Sequence, residues 1–401
     1  MAWLKKIISK MKRMSLPLSI IILIILITGI FFIYSSCYIS DSVPVRGLYK
    51  KQIIWVVAGI SSYLFFALND YRKFRKYSWI FYIISILCLL LVLFAGVRIG
   101  GARRWFSIPL LGILIQPSEI AKMSTIIIMA SILSQPHTYI EKGWTFFKVL
   151  MIAFFPIGLI LLEPDLSSAV ILLPVALSMM FVSNLPLKYI FGIVGIGIVF
   201  VLIILSVLLL PDKLGVSEQG QEKFLNTVGL RLYHKHRIMV FLNLDEDPMG
   251  TGWNKRQSQI AVGSGGAFGK GFLNGTQNIL GYLPRTVAPT DFIYSVIAEE
   301  KGFLGSIVVL SLYAGVFLLS LQIAYLTWDR FGRLLCVGFT TLLFCHVFIN
   351  ISMTVGIMPV TGLPLPLLSY GGTIMLISMS ELGIVQSVYV HSRKRRHSYL
   401  S

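Results

Sequence analysis

Apolar runs of about twenty residues recur along nearly the whole chain, and each can cross a hydrocarbon core of roughly 30 Å as a helix rising about 1.5 Å per residue. Lipid gives exposed backbone no hydrogen-bond partner. Such runs therefore fold as helices, and irregular segments belong in water or inside protein. Composition agrees: 56% of residues are hydrophobic and 13% charged, about half the roughly 25% charge of soluble domains. A soluble enzyme, a disordered chain and a disulfide-stapled secreted scaffold are excluded. The fold class expected is an all-α polytopic membrane protein, a single integral domain over 1–401. Ten transmembrane helices are expected near 16–34, 52–68, 77–97, 117–134, 147–162, 166–183, 188–210, 295–325, 331–355 and 367–390, with one large loop, 211–294, between spans 7 and 8.

The net charge of +18 would suggest nucleic acid in a soluble chain, but no folded nucleic-acid module fits between the spans. The positive-inside rule accounts for much of it. In this count Lys5, Lys6, Lys10, Lys12 and Arg13, the Arg72-Lys73-Phe74-Arg75-Lys76 loop, the Arg330/Arg333 turn and the Arg393-Lys394-Arg395-Arg396 tail share one side. That side is expected to be cytoplasmic, with both termini inside and 211–294 outside. Arg46, Lys50, Lys51, Arg98, Arg103 and Arg104 fall on the outer side against the rule. Phospholipid headgroups or an anionic, membrane-anchored substrate would explain them, because Arg suits phosphate oxygens. Cys37, Cys88, Cys336 and Cys345 are scattered, with no CxxC pair, and read as small packing residues. The six histidines show no helical H-x-x-x-H spacing, and His234 and His236 in a charged loop read as solvated. No metal site is expected.

Ionisable groups inside spans default to pairing or function. Gln116-Pro117-Ser118-Glu119-Ile120-Ala121-Lys122 opens the fourth span. Pro117 suits a first helical turn, and Glu119 and Lys122 share a helix face three residues apart. A structural ion pair and a polar cavity lining both fit. In Leu162-Glu163-Pro164-Asp165-Leu166-Ser167, Asp165 is placed to cap the sixth helix through Ser167 or Ser168, or to meet substrate. The stretch Gln257 to Gly271 carries Lys270 among glycines. It fails as a P-loop, with Ser264 at the first glycine position and Gly271 where Ser or Thr would bind Mg²⁺. Its glycines suit close backbone approach in a re-entrant or surface-lying element. Asp291, in Pro289-Thr290-Asp291-Phe292, precedes an apolar helix and reads as an N-terminal cap or a general base. The Pro/Gly-rich stretch from Asn350 to Gly372 is too apolar for a flexible linker, and a fixed non-helical segment is expected.

Together these clusters resemble the SEDS family (shape, elongation, division and sporulation), ten-span enzymes of bacterial wall synthesis. The likeness runs through Gly100-Gly101-Ala102-Arg103-Arg104-Trp105, Gln116–Lys122, Glu163–Leu166, Gln257–Gln277, Thr290–Gly302 and Asn350–Gly372. Gly275-Thr276-Gln277 resembles the elongation branch more than the division branch. The resemblance implies a peptidoglycan glycosyltransferase in the bacterial cytoplasmic membrane, polymerising lipid II (an undecaprenyl-linked disaccharide peptide) at the outer face. It also implies a class B penicillin-binding protein as partner. Asp291 matches the family's essential aspartate; Trp105, Glu119, Lys122 and Asp165 match functionally important positions. Arg103, Arg104, Lys270 and Gln277 complete the substrate-binding candidates, with pyrophosphate charge met by cationic side chains alone or with a divalent ion. One departure stands out. The family's Leu-Pro-Glu-x-His-Thr-Asp-Phe becomes Leu283-Pro284-Arg285-Thr286-Val287-Ala288-Pro289-Thr290-Asp291-Phe292, two residues longer and without the Glu or His. A lipid II flippase or transporter, a division-type polymerase and a non-catalytic scaffold are the alternatives.

Overall fold

The computed structural model describes residues 9–38, 43–99, 102–108, 113–136, 143–213 and 250–398, with 239 and 247 isolated. Lys5, Lys6, Gly100, Gly101, His234 and His236 lie outside the described residues, as do the side chains of Arg393, Lys394, Arg395 and Arg396. The long helices are α1 (Leu16–Cys37), α2 (Leu48–Leu68), α3 (Arg72–Ala95), α4 (Pro117–Leu133), α5 (Gly143–Leu162), α6 (Leu166–Val182) and α7 (Leu187–Lys213). After helix α8 (Thr251–Ser264) come α9 (Ile293–Leu326), α10 (Arg330–Val355) and α11 (Gly372–Ser398). Seven of these are long and apolar enough to cross a membrane: α1, α2, α3, α5, α9, α10 and α11. The chain is a multi-pass membrane protein.

Burial separates the bundle's centre from its rim. Of the apolar windows of α10 and α11, 67% and 78% are buried, against 28% and 33% in α2 and α3. On α3 the residues Ile80, Ile83, Ile84, Leu87 and Leu91 form an exposed apolar face, the kind of surface a bilayer covers. The inner helices can therefore carry polar groups. In α4 the buried residues include Glu119, Lys122, Ser124 and Thr125, and Ser124 Oγ meets Ser85 Oγ of α3 at 2.6 Å.

The fold is mostly helical, as expected, with one small sheet beside the helices that an all-α reading leaves out. Three short antiparallel strands, β1 (Val97–Ile99), β2 (Ala102–Ile108) and β3 (Ile113–Ile115), follow α3 in the order β1-β2-β3. Isolated strands of three residues are unstable. These are anchored: β2 packs on α3, and Thr373 Oγ1 at the start of α11 donates to Leu114 O at 2.7 Å. Alternation along Arg103-Arg104-Trp105-Phe106 places neighbouring side chains on opposite faces.

Near its N-terminal end α9 is broken by Gly302, whose φ of 66° and ψ of −161° lie outside the helical region. The break leaves backbone groups without intrahelical partners, and the Gly-rich loop after α8 supplies them. Phe303 N donates to Gly266 O at 2.8 Å and Leu304 N to Ala267 O at 3.1 Å; Lys270 N and Gly271 N donate to Glu299 O and Glu300 O, each at 3.0 Å. A Cβ at Gly269 would collide with the Glu300 carbonyl. These glycines serve close backbone approach, as their spacing suggested. All four cysteines are free thiols.

Candidate active site

Helix α4 opens as its sequence predicts. Pro117 takes the first turn of α4 after the extended Gln116, and Glu119 sits in that turn. Lys122 Nζ donates to Glu119 Oε1 at 2.8 Å, with Lys122 fully buried and Glu119 at 5% exposure. The same ammonium lies 2.9 Å from Nε2 of His346 on α10. Glu381 of α11, also buried, feels both charges and has one oxygen without a partner. Neither His346 nor Glu381 was singled out from sequence, although an ionisable residue within an apolar span was signal enough.

Asp165 caps α6. Its carboxylate accepts from Ser168 N at 3.2 Å and Ser168 Oγ at 2.9 Å, and also from Gln116 Nε2 at 3.1 Å. The cap that short-range spacing suggested is thus joined to the start of α4. Glu163, two residues earlier, is 1% exposed and neither carboxylate oxygen has a hydrogen-bond partner. Burial, reinforced by Asp165 and opposed by Arg104, pushes its carboxyl up to about 8. Arg104 Nε donates to Glu163 O at 2.9 Å, and its Nη2 to Pro164 O. Arg103 turns the other way, donating to Leu93 O and Phe94 O at 3.3 and 3.1 Å. Neutral carbonyls thus fix both guanidiniums, but the two point apart. Trp105 shares the face of Arg103 in β2, opposite Val97.

Asp291 does not cap α9. The helix begins at Ile293, with Phe292 in the cap position and no side-chain cap bond. Instead the main chain of Asp291 is clamped: its N–H donates to Val287 O at 3.0 Å, and its carbonyl accepts from Asn350 Nδ2 at 2.8 Å. Asn350 also donates to Leu363 O at 2.6 Å. The Pro/Gly segment after α10 is stitched to the same place, with Tyr370 N donating to Pro289 O at 2.8 Å and Ser369 Oγ to Thr290 O. The half-buried Asp291 side chain faces Gly362; a Cβ there would lie 3.6 Å from Asp291 Oδ2. Beside Gly362, the Thr361 carbonyl accepts from Ser167 Oγ at 3.2 Å. A closed circuit results: Asp165, Gln116, Glu119, Lys122, His346, Asn350, Asp291, the 361–362 turn and Ser167.

Lys270 and Gln277 stand outside that circuit. Lys270 Nζ binds Glu299 Oε1 at 2.6 Å and Ser264 Oγ at 2.7 Å, and it also meets Thr276 Oγ1. Gln277 N donates to the same Glu299 oxygen at 3.0 Å. Among the described residues no three His, Cys, Asp or Glu side chains gather as a metal site.

The family model FtsW/RodA/SpoVE, described as "Cell cycle protein", matches residues 16–394. The chain belongs to this family. It is 33% identical to "Peptidoglycan glycosyltransferase RodA" of Treponema pallidum (strain Nichols) over 412 residues, covering 90% of this chain and 94% of the relative. It is also 33% identical to "Peptidoglycan glycosyltransferase MrdB" of Escherichia coli (strain K12) over 369 residues, covering 90% and 91%. A solved chain described under "Structural coordination of polymerization and crosslinking by a peptidoglycan synthase complex" superposes with a TM-score of 0.73 at 25% identity. That match covers 95% of this chain and 98% of the other. The FtsW/RodA/SpoVE match spans every element of the circuit around Asp291.

Proposed function

We propose that the chain is a peptidoglycan glycosyltransferase that polymerises lipid II into glycan strands at the outer face of the bacterial cytoplasmic membrane during cell elongation. The observation that carries this reading is 33% identity, over nine tenths of this chain, to relatives named peptidoglycan glycosyltransferase RodA and MrdB. All ten long helices apart from α8 cross the bilayer in this reading, both termini are cytoplasmic, and 211–294 lies outside. The basic clusters of the sequence support that orientation.

The reaction joins a sugar hydroxyl of one lipid-linked disaccharide to the anomeric carbon of another. A new C–O bond forms, the bond to the lipid pyrophosphate breaks with its electron pair, and the hydroxyl proton passes to a base. Asp291 is that base; its clamped main chain fixes a half-buried carboxylate beside the side-chain-free Gly362. It must come within about 3 Å of the acceptor hydroxyl. Arg104, fixed by neutral carbonyls at the turn that holds Asp165, meets developing pyrophosphate charge. Arg103 and Trp105 act from the other face of the small sheet, where lipid headgroup and sugar emerge. Lys122, wholly buried, supports the site from beneath. Asp165 and Glu119 shape the same end of the site, while Lys270 and Gln277 hold the Gly-rich loop to Glu299 beside it. A class B penicillin-binding protein is the proposed partner, a reading supported by the relative whose description joins polymerisation to crosslinking.

The test gives purified wild type and Asp291→Asn labelled lipid II and resolves the glycan products by gel. Loss of about 10²- to 10⁴-fold in rate is expected, the usual contribution of a positioned base. Equal rates would remove Asp291 as the base, and labelled lipid II crossing vesicles without glycan would favour transport.

A further inference from the structure

We propose that His346 is a positioning residue that registers the buried Lys122–Glu119 pair against Asp291 through one face of α10. The inference rests on the glycosyltransferase reading and adds to it a residue outside the sequence candidates. An ammonium has donors and no acceptor, so at 2.9 Å His346 Nε2 must accept from Lys122 Nζ. The imidazole is therefore neutral, with its proton on Nδ1. Lys122 is fully buried and His346 3% exposed, so water does not compete for the contact. Asn350 lies four residues on, on the same helix face and about 6 Å along the axis. Asn350, wholly buried, holds the Asp291 and Leu363 carbonyls. One helix face thus grips the ion pair with one turn and the proposed base with the next.

At the other end of the chain of contacts, Glu119 belongs to the helical turn begun by Gln116, which donates to Asp165. Among the described residues of this circuit, His346 links α4 to the face of α10 that holds Asp291. An apolar side chain would fill the same volume yet leave the buried ammonium short of an acceptor. The pair would then settle elsewhere, and the Asp291 and Asp165 sides would lose their common register.

The experiment compares full-length wild type, His346→Leu and His346→Gln in the lipid II assay, with thermal unfolding of each. Misplacement of a reacting group lowers kcat, so His346→Leu is expected to lose about 10- to 100-fold in kcat with KM within about twofold. His346→Gln, whose amide oxygen can accept from Lys122, is expected to restore kcat to within about threefold of wild type. Wild-type kcat in the Leu variant overturns the proposal. So does a Gln variant as slow as Leu while both melt like wild type, or a change confined to KM. Should His346→Leu not fold, His346→Asn, too short to reach Lys122, takes its place on the same readout. A wild type inactive on lipid II sinks the functional reading itself; an active wild type indifferent to His346 sinks only this inference.

Discussion

Glu299 and Asp291 lie eight residues apart in sequence, and their surroundings are opposite. Glu299 is 1% exposed, and one of its oxygens receives Lys270 Nζ at 2.6 Å, Thr276 Oγ1 at 2.8 Å and Gln277 N at 3.0 Å. At Asp291 the protein grips the main chain and leaves the carboxylate half-buried beside a glycine. A carboxylate surrounded by donors is a clasp, since its charge is already spent on holding the Gly-rich loop to α9. A half-buried carboxylate whose main chain is fixed beside a glycine suits the base proposed for the reaction. Proximity in sequence and identical charge do not distinguish the two; the donors gathered on the Glu299 carboxylate and the clamp on the Asp291 main chain do.

The largest effect that tests this contrast is on stability. Lys270→Met leaves Glu299 buried with its other donors but without its cation, and should cost about 2–3 kcal/mol. Thermal unfolding in detergent reads the loss as a lowered Tm, with activity falling only as the folded fraction falls. Asp291→Asn should melt like wild type. If Lys270→Met keeps its Tm but loses polymerisation, Lys270 acts on substrate and the clasp reading fails.

A second contrast, within one turn, isolates what hydrogen bonds do to charge. Asp165 has three donors; Glu163 has none on either oxygen and is pushed up to about 8, chiefly by burial. Between the usual carboxylate value of 4.5 and about 8, the folded chain holds a proton that the unfolded chain releases. Stability contributed by that proton is complete below about 4.5 and declines as pH rises through about 8. Glu163→Gln should flatten this decline in a Tm-versus-pH series. An unchanged slope would show that Glu163 is solvated in the folded protein.

Much of the helical frame was legible, because apolar length and helix-start chemistry are local properties. Pro117 and the Glu119–Lys122 spacing set the start of α4, and Asp165 followed by Ser168 set the cap of α6. The three strands were not legible: two of them are three residues long and exist only against α3 and α11. The last long helix was expected from residue 367 but begins at Gly372. Leu365, Leu367 and Leu368 are apolar because they are buried, while the neighbouring Ser369 and Tyr370 bond to the Asp291 loop. Hydropathy registers burial, not helicity. The capping role open to Asp291 failed for a related reason: the helix starts one residue later, and the Asp291 main chain is held by Asn350, far away in sequence. His346 and Glu381 were visible as polar residues in apolar runs, but only tertiary packing brings them to Lys122.

The smallest expected effect joins both contrasts. In Asp165→Asn the retained oxygen can keep the bond from Ser168 N, while the new NH₂ group faces both Ser168 Oγ and Gln116 Nε2 in place of the oxygen they share. A partial loss of capping and of the link to α4 should cost about 0.5–1.5 kcal/mol. The substitution also removes the negative charge that helps hold the Glu163 carboxyl high, second only to burial. The pH at which Glu163 gives up its proton should therefore move down from about 8 in the Asn variant, visible in the same Tm series as a decline that ends at lower pH. A decline at the wild-type pH would mean that Asp165 and Glu163 do not sense each other, leaving burial alone to set the state of the turn.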